Sequence, residues 1–143
     1  MGDRRPRAFP DHVELTRGQL ASQTGCNIET IRYYENVGLM PPARRTANGY
    51  RIYGQANVQR LNFILRCRHL GLPLDGIRDL LSFVDDNTYT CADIKRRVEE
   101  HLRQVRARIA ELETMRASLE RLVSACTGEA APSCAIIEEL LFD

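Results

Sequence analysis

Apolar side chains recur every three or four residues through most of the chain, and this spacing predicts helices. In the first third, Gly25 and Gly38 are suitable helix ends, and Asn27 between them is a suitable N-cap. These signals predict two short helices, residues 17–24 and 28–37. A tight turn joins them, as in a helix-turn-helix.

The segment after the second helix changes from helical spacing to a hairpin pattern. Asn48-Gly49 is a strong turn signal, and Tyr50, Ile52 and Tyr53 favour a strand. We therefore predict a two-stranded wing that directly follows the helix-turn-helix.

Three further helices are predicted before the short C-terminal one, and the third of them is unusually long. Residues 55–70 and 74–84 carry ordinary apolar stripes, whereas residues 88–126 carry a heptad seam broken once, at Arg116. The seam consists of Val98, Leu102, Val105, Ile109, Leu112, Leu119 and Val123. A chain of 143 residues cannot cover so long and narrow a stripe by itself. The pattern therefore predicts a homodimer held together by a coiled coil.

Charge divides the chain although the net charge is only +1. Residues 1–70 hold 11 Arg against 5 Asp and Glu, a balance of +6, whereas residues 71–143 hold 9 Lys and Arg against 14 Asp and Glu. A basic half joined to an acidic half is typical of a protein whose basic end meets a polyanion.

The remaining composition is that of an ordinary globular protein. The hydrophobic fraction is 43%, and neither a secretory signal nor a membrane-spanning segment is evident, so we expect a cytoplasmic protein without a membrane partner. No nucleophile–base pair or cofactor-binding loop is recognisable, and we predict that the protein is not an enzyme.

The candidate DNA contacts lie on the second helix and on the wing. Hydroxyl, guanidinium and phenol groups that face outward suit contacts with phosphates and base edges. The candidates on the helix are Thr30, Arg32 and Tyr33, and those on the wing are Arg44, Arg45, Tyr50 and Arg51.

Five cysteines in a reducing compartment are more often free, metal-bound or redox-active than paired in disulfides. Cys26 and Cys67 fall in the front half, and we expect both to be small buried thiols. Cys91 and Cys126 flank the long helix and are separated by roughly 50 Å at about 1.5 Å per residue. They cannot bind one ion within a chain. A site shared with Cys134 therefore requires an antiparallel partner that brings its own Cys91.

Cys126 and Cys134 bracket a loop of seven residues that precedes a short apolar helix, Ala135–Phe142. Two thiolates that close a loop suit a soft metal ion. Buried structural thiols and a reversible disulfide remain alternatives. An iron–sulfur cluster is disfavoured because it usually requires four closely spaced thiolates. The three histidines lie far from the loop in sequence and are not expected to be ligands: His12, His69 and His101.

Three motifs together resemble the MerR family of transcription regulators. They are TIRYYE at residues 30–35, NGYRIY at residues 48–53 and LGLPL at residues 70–74, and the similarity extends from about residue 15 to residue 141. The resemblance implies a dimer of winged heads joined by antiparallel helices. It further implies that the dimer binds promoter DNA, represses without metal, and distorts the DNA for RNA polymerase when metal is bound.

The resemblance also implies roles for individual residues. Five positions match DNA-contacting residues of the family: Arg32, Tyr33, Arg45, Tyr50 and Arg51. Three match its metal ligands, and one of these comes from the other subunit: Cys91, Cys126 and Cys134.

The C-terminal part combines features of two kinds of metal sensor. Its loop length and residues 135–138 resemble the copper(I) sensors, which have serine where this chain has Cys91. A third thiolate better offsets a divalent charge, so we predict mercury, cadmium, lead or zinc rather than copper(I). A copper(I) sensor, and a regulator that responds to oxidants or an organic ligand, remain alternatives.

The predicted fold is mainly α, with four parts. Residues 1–13 form a flexible arm, residues 14–84 a winged helix-turn-helix domain with its connecting helices, residues 88–126 the dimerisation helix, and residues 127–143 the metal-binding loop and last helix.

Overall fold

A computed structural model describes residues 13–87, 89–128 and 134–142 of the chain. The described elements are α1 (Arg17–Thr24), α2 (Ile28–Asn36), β1 (Arg44–Arg45), β2 (Arg51–Ile52), α3 (Gln55–His69), α4 (Leu74–Asp86), α5 (Cys91–Ala125) and α6 (Ala135–Phe142). They form two compact units, one ending at Tyr89 and the other beginning at Thr90. The predicted mainly α fold with a small wing is confirmed. Most of the predicted arm lies outside the described residues.

Local capping explains where the first two helices begin. The Thr16 hydroxyl accepts a hydrogen bond from the Gln19 N–H at 3.2 Å, and the Gln19 side chain accepts one from the Thr16 N–H at 2.9 Å. The Asn27 side chain accepts from the Thr30 N–H at 2.7 Å. Gly25 ends α1 with a left-handed φ of 71°. Both helices therefore start where predicted, and α2 ends one residue early.

The core of the first unit lies where α1 packs against α2 and α3, and where α4 packs against α3. Its completely or almost completely buried side chains include Leu20, Ile31, Leu39, Met40, Tyr53, Leu61, Ile64 and Ile77. Helix α4 runs two residues past its predicted end, and Val84, predicted to lie on its apolar stripe, is half exposed.

The wing is smaller than the sequence pattern predicts. Each strand has two residues, and Arg45 pairs with Arg51 in antiparallel register. Pro41 and Pro42 shortly before β1 have no N–H with which to extend the pairing. Tyr53, predicted to belong to the wing strand, instead exchanges two backbone hydrogen bonds of 2.8 Å with Leu15.

The second unit consists of α5, with α6 in contact with it. Helix α5 begins at a capping box in which the Thr90 hydroxyl accepts from the Asp93 N–H at 3.2 Å and the Asp93 side chain accepts from the Thr90 N–H at 2.9 Å. No residue of α5 is buried. None of the helices in the described ranges is long and apolar enough to span a membrane.

Candidate nucleic-acid interface and thiol site

Helix α2 presents polar side chains on one face and packs the opposite face into the core. Ile31 is completely buried and Tyr34 is 5% exposed, whereas Arg32 and Tyr33 are about half exposed. Arg32 makes an exposed ion pair with Glu29 at 3.0 Å, which solvent screens and a phosphate can replace. Thr30 is only partly exposed. Arg32 and Tyr33 thus lie on the accessible face of the helix, and Thr30 lies at its edge.

Two arginines hold the carbonyl end of α2. Arg78 donates to the Val37 carbonyl at 2.7 Å, and Arg60 donates to the Leu39 carbonyl at 2.6 Å. Arg60 also pairs with Asp85 at 2.7 Å. The Val37 and Leu39 carbonyls lie just beyond Asn36, the last residue of α2, and the two guanidinium groups satisfy them. These contacts tie the position of α2 to α3 and α4.

The wing concentrates positive charge at an exposed tip. Arg44, Arg45, Tyr50 and Arg51 are all exposed, Tyr50 by 72%. Arg45 donates to the Gly49 carbonyl at 3.1 Å, which holds its guanidinium beside the turn. Like charges in directly opposite strand positions are destabilising, and Arg45 and Arg51 occupy such positions. A bound polyanion would relieve this repulsion.

A buried polar network joins α1, α2 and the end of the wing. The Tyr53 hydroxyl donates to Glu35, and Arg17 donates to the Tyr53 hydroxyl at 3.1 Å and to Glu35 at 3.0 Å. The side chains of Arg17 and Glu35 are 12% and 14% exposed, and Tyr53 is 1% exposed. Burial, and then the hydrogen bond with Glu35, raise the pKa of Tyr53, so its hydroxyl remains protonated.

Sequence patterns did not reveal this network. Arg17 and Glu35 are 18 residues apart, as are Glu35 and Tyr53, and helical or strand spacing does not link positions at that distance. One feature of the sequence indicates such a network. Glu35 lies on the inward side of an amphipathic helix, where a carboxylate without a partner is costly, so a polar partner is expected.

The two cysteines of the first unit are buried. Cys26 and Cys67 are each 8% exposed, and burial raises the pKa of both thiols. A raised pKa lowers the thiolate fraction, and the thiolate is the form that binds metals. Their burial agrees with the prediction that they are small core residues.

The other three cysteines are exposed, free thiols at helix ends. Cys91 is the first residue of α5 and follows its N-cap Thr90, and Cys126 is the residue directly after the helix. Cys134 directly precedes α6, and its carbonyl accepts from the Glu138 N–H at 2.9 Å. Helix ends therefore fix the backbone at each thiol and leave the sulfur accessible.

The length of α5 determines which thiols can meet. Its 35 residues span about 50 Å at about 1.5 Å per residue, so Cys91 lies far from Cys126 of the same chain. Within the described ranges, the chain brings together no group of three His, Cys, Asp or Glu residues that could hold a metal ion. The predicted loop lies mostly outside these ranges, which omit residues 129–133. The thiols at the two ends of the loop are both exposed, and α5 holds Cys91 far from the Cys126 end of that loop.

The heptad seam of α5 is uncovered. All of its members are exposed, from 37% for Val105 to 69% for Val123: Val98, Leu102, Val105, Ile109, Leu112, Leu119 and Val123. At the one break, Arg116 pairs with Glu113 at 2.7 Å and with Glu120 at 2.9 Å, and the neighbouring Met115 is half exposed. Single exposed apolar residues are common on protein surfaces, but seven of them in one stripe are not. Such a stripe is suited to packing against a partner helix.

Comparison with known proteins identifies relatives that match most of the chain. The family described as "MerR HTH family regulatory protein" matches residues 15–84, and that described as "MerR, DNA binding" matches residues 58–122. The transcriptional regulator ZntR of Escherichia coli strain K12 is 45% identical over 126 residues, which cover 86% of this chain and 89% of ZntR.

Two further similarities concern metals. Heavy metal-dependent transcription regulator 1 of Rhizobium meliloti is 40% identical, and the match covers 82% of this chain and 80% of that protein. The crystal structure of the transcription regulator PbrR691 from Ralstonia metallidurans CH34 in complex with lead(II) superposes with a TM-score of 0.80 at 33% identity, covering 88% of this chain and 98% of that one.

Proposed function

Because the chain belongs to the MerR family of transcription regulators, we propose that it is a dimeric regulator that responds to a soft divalent metal ion. Members of this family bind DNA and are not enzymes. The observation that carries the proposal is the placement of three exposed thiols at the ends of an uncovered helix of 35 residues. In the proposed dimer, each metal site lies where the two subunits meet.

The DNA-binding part of the proposal rests on α2 and the wing. Arg32 and Tyr33 are accessible on α2, and Arg45, Tyr50 and Arg51 surround the tip of the wing. We assign phosphate and base-edge contacts to these residues, with Thr30 and Arg44 at the margins of the surface. Since promoter DNA is the partner, the proposed site of action is the cytoplasm.

Dimerisation follows from the uncovered seam. An antiparallel pair of α5 helices buries both stripes and places Cys91 of the partner subunit at the end that carries Cys126 and Cys134. Two equivalent sites result, one at each end of the pair. A parallel pair would cover the stripes equally well but would leave Cys91 about 50 Å from the other thiols.

The number of thiols favours a divalent ion. Mercury, cadmium, lead and zinc accept three thiolates, whose charge they offset better than copper(I) does. The relatives named above include a heavy-metal-dependent regulator and a protein crystallised with lead(II). A copper(I) sensor that uses only Cys126 and Cys134 is the second candidate, because its loop would need no third ligand.

The proposed response couples the thiol site to the DNA-binding surface. Cys126 and Cys134 would hold the ion together, and this shared attachment would keep α6, which contacts α5, in one arrangement. We expect the dimer without metal to repress, and the dimer with metal to distort promoter DNA into a form that RNA polymerase uses. The two forms are two populations of one dimer, and binding selects between them.

Titration of the reduced protein with zinc, cadmium, lead, mercury and copper(I) tests the ligand set. We expect thiolate-to-metal absorption that saturates at one ion per chain, and an affinity loss of at least about 100-fold in Cys126→Ser and Cys134→Ser, since thiolates supply most of the binding. Cys91→Ser should lose affinity for divalent ions and keep copper(I). Cys67→Ala, which removes a buried thiol, is the matched control.

Two outcomes would contradict the proposal. Unchanged metal affinity and unchanged promoter activation in Cys126→Ser would remove the thiol loop from the mechanism. Activation by oxidants in metal-free protein, with no activation by metal under strict reduction, would identify a redox regulator instead.

A further inference from the structure

Helix α2 and the wing meet through the side chains of Arg17, Glu35 and Tyr53. Glu35 belongs to α2 and Tyr53 follows β2, and Arg17 of α1 bonds to both, at 3.0 Å and 3.1 Å. With the hydrogen bond from Tyr53 to Glu35, the three side chains form a closed triangle. We refer to them as the buried triangle.

The triangle lies directly behind the proposed DNA contacts. Glu35 is three residues beyond Arg32, which is close to one helical turn, and Tyr53 is two residues beyond Arg51. Only Ile52 separates Tyr53 from Arg51, and less than one helical turn separates Glu35 from Arg32. Because the backbone between them is so short, movement of Glu35 or Tyr53 is passed to an exposed arginine.

The wing has few other contacts that could fix its angle to α2. Its sheet contains two residue pairs, and the two hydrogen bonds between Leu15 and Tyr53 tie it to the segment before α1 rather than to α2. A two-stranded hairpin is marginally stable by itself. The largely buried ion pair of Arg17 and Glu35, with Tyr53 as a third hydrogen-bonding partner, is a directional contact, unlike apolar packing, and specifies one arrangement.

We propose that Arg17, Glu35 and Tyr53 are positioning residues that hold the wing in register with α2, so that both engage one DNA duplex together. The inference rests on the proposed DNA-contact surface. Tyr53 itself is 1% exposed, so its role is to orient the neighbouring cations rather than to touch DNA.

The test compares Tyr53→Phe with Tyr34→Phe in the full-length protein. Both changes remove one hydroxyl from a buried tyrosine, but Tyr34 lies on α2 and its hydroxyl faces Arg68 of α3 rather than the wing. The probe is a duplex selected from a random pool on the wild-type protein. Affinity is measured over a range of salt concentrations, at a temperature where circular dichroism shows every variant to be folded.

We expect Tyr53→Phe to weaken binding about tenfold and to reduce the slope of log affinity against log salt by about one to two, because wing cations leave their phosphates. Tyr34→Phe should keep the wild-type slope. Arg51→Ala should weaken the wild type several-fold but change Tyr53→Phe less than about twofold, since the two changes act on one contact. If the affinity losses of Arg51→Ala and Tyr53→Phe multiply in the double variant, the proposal is overturned.

Hydrogen exchange in DNA-free protein separates this inference from the proposed function. Tyr53→Phe should speed amide exchange in residues 44–52 while Tyr34→Phe leaves it unchanged. If the wild type selects no duplex, the proposed function is wrong, and the exchange rates still decide whether the triangle holds the wing. If residues 44–52 exchange at the same rate in Tyr53→Phe as in the wild-type protein, the inference is overturned, even if the wild-type protein binds DNA tightly.

Discussion

Burial divides the five cysteines into two chemical classes. Cys26 and Cys67 lie in the core of the first unit, where desolvation raises the pKa of each thiol. The other three are exposed at helix ends, where the sulfur is accessible to metals and electrophiles. Accessibility of the sulfur therefore separates the two core cysteines from the three cysteines of the proposed sensor.

We predict that iodoacetamide at pH 8 adds three alkyl groups quickly and two slowly. The slow pair should be Cys26 and Cys67, since their raised pKa values leave less thiolate at this pH and the core blocks access. Intact mass and peptide mapping measure the order. Prior saturation with cadmium should protect the three fast thiols, and denaturation should make all five react alike. Fast alkylation of Cys67 would contradict the burial described above.

Residue positions differed in how far sequence could predict them. The burial of Cys26 and Cys67 was expected because free cysteines are usually buried, and the outward direction of Arg32 and Tyr33 follows from helical spacing, which is local. Partners such as Arg17 and Tyr53 meet only after three elements pack together. No periodic pattern connects them, so the buried triangle became visible only in the folded chain.

At the scale of elements, caps and periodicity predicted the helices to within about three residues at each end. The largest difference is the start of α5, which is Cys91 rather than residue 88. Thr16, Asn27 and Gly25 act through hydrogen bonds or backbone angles in their own vicinity. The wing was predicted less well because strand pairing joins residues across a turn. Its strands are short, and Tyr53 pairs with Leu15, which lies outside the hairpin.

The uncovered seam of α5 leads to a prediction at the same scale. Ile109, near the middle of the helix and 54% exposed, should lie at the centre of the dimer. Ile109→Lys should raise the dimer dissociation constant by about 100-fold or more, since burying an unpaired ammonium costs several kcal/mol. Analytical ultracentrifugation measures the change.

The matched control places the same lysine on the opposite face. Residue 107 precedes Ile109 by two positions, which is about 200° around the helix, so Ala107→Lys should leave dimerisation intact. Equal dissociation of both variants would place the interface elsewhere.

At the scale of the whole molecule, the basic half, residues 1–70, lies within the first unit, whereas the acidic half comprises α4 of that unit and the whole second unit. The basic residues of the first unit include the exposed arginines of α2 and the wing, and the second unit carries the seam and the three exposed thiols. The sequence predicted this division from charge and spacing alone. The pairing of two chains, and the site they would share, depend on a second copy and remain predictions.

The placement of thiols at both ends of a helix of about 50 Å has a consequence for genetics. In an antiparallel pair, each site takes Cys91 from one chain and Cys126 with Cys134 from the other. A Cys91→Ser allele and a Cys134→Ser allele each abolish both divalent sites in their own homodimers. Co-expressed, they should form mixed dimers in which one site lacks two thiols and the other is complete.

Intragenic complementation would therefore be partial, with one divalent ion per mixed dimer instead of two. Purification through two different affinity tags isolates the mixed dimer, and metal analysis counts its ions. Two alleles that both carry Cys134→Ser should not complement, because neither site of their dimer would then contain Cys134. Two variants that each lack metal sites as homodimers would then form one complete site together, because each site is built from residues of both chains.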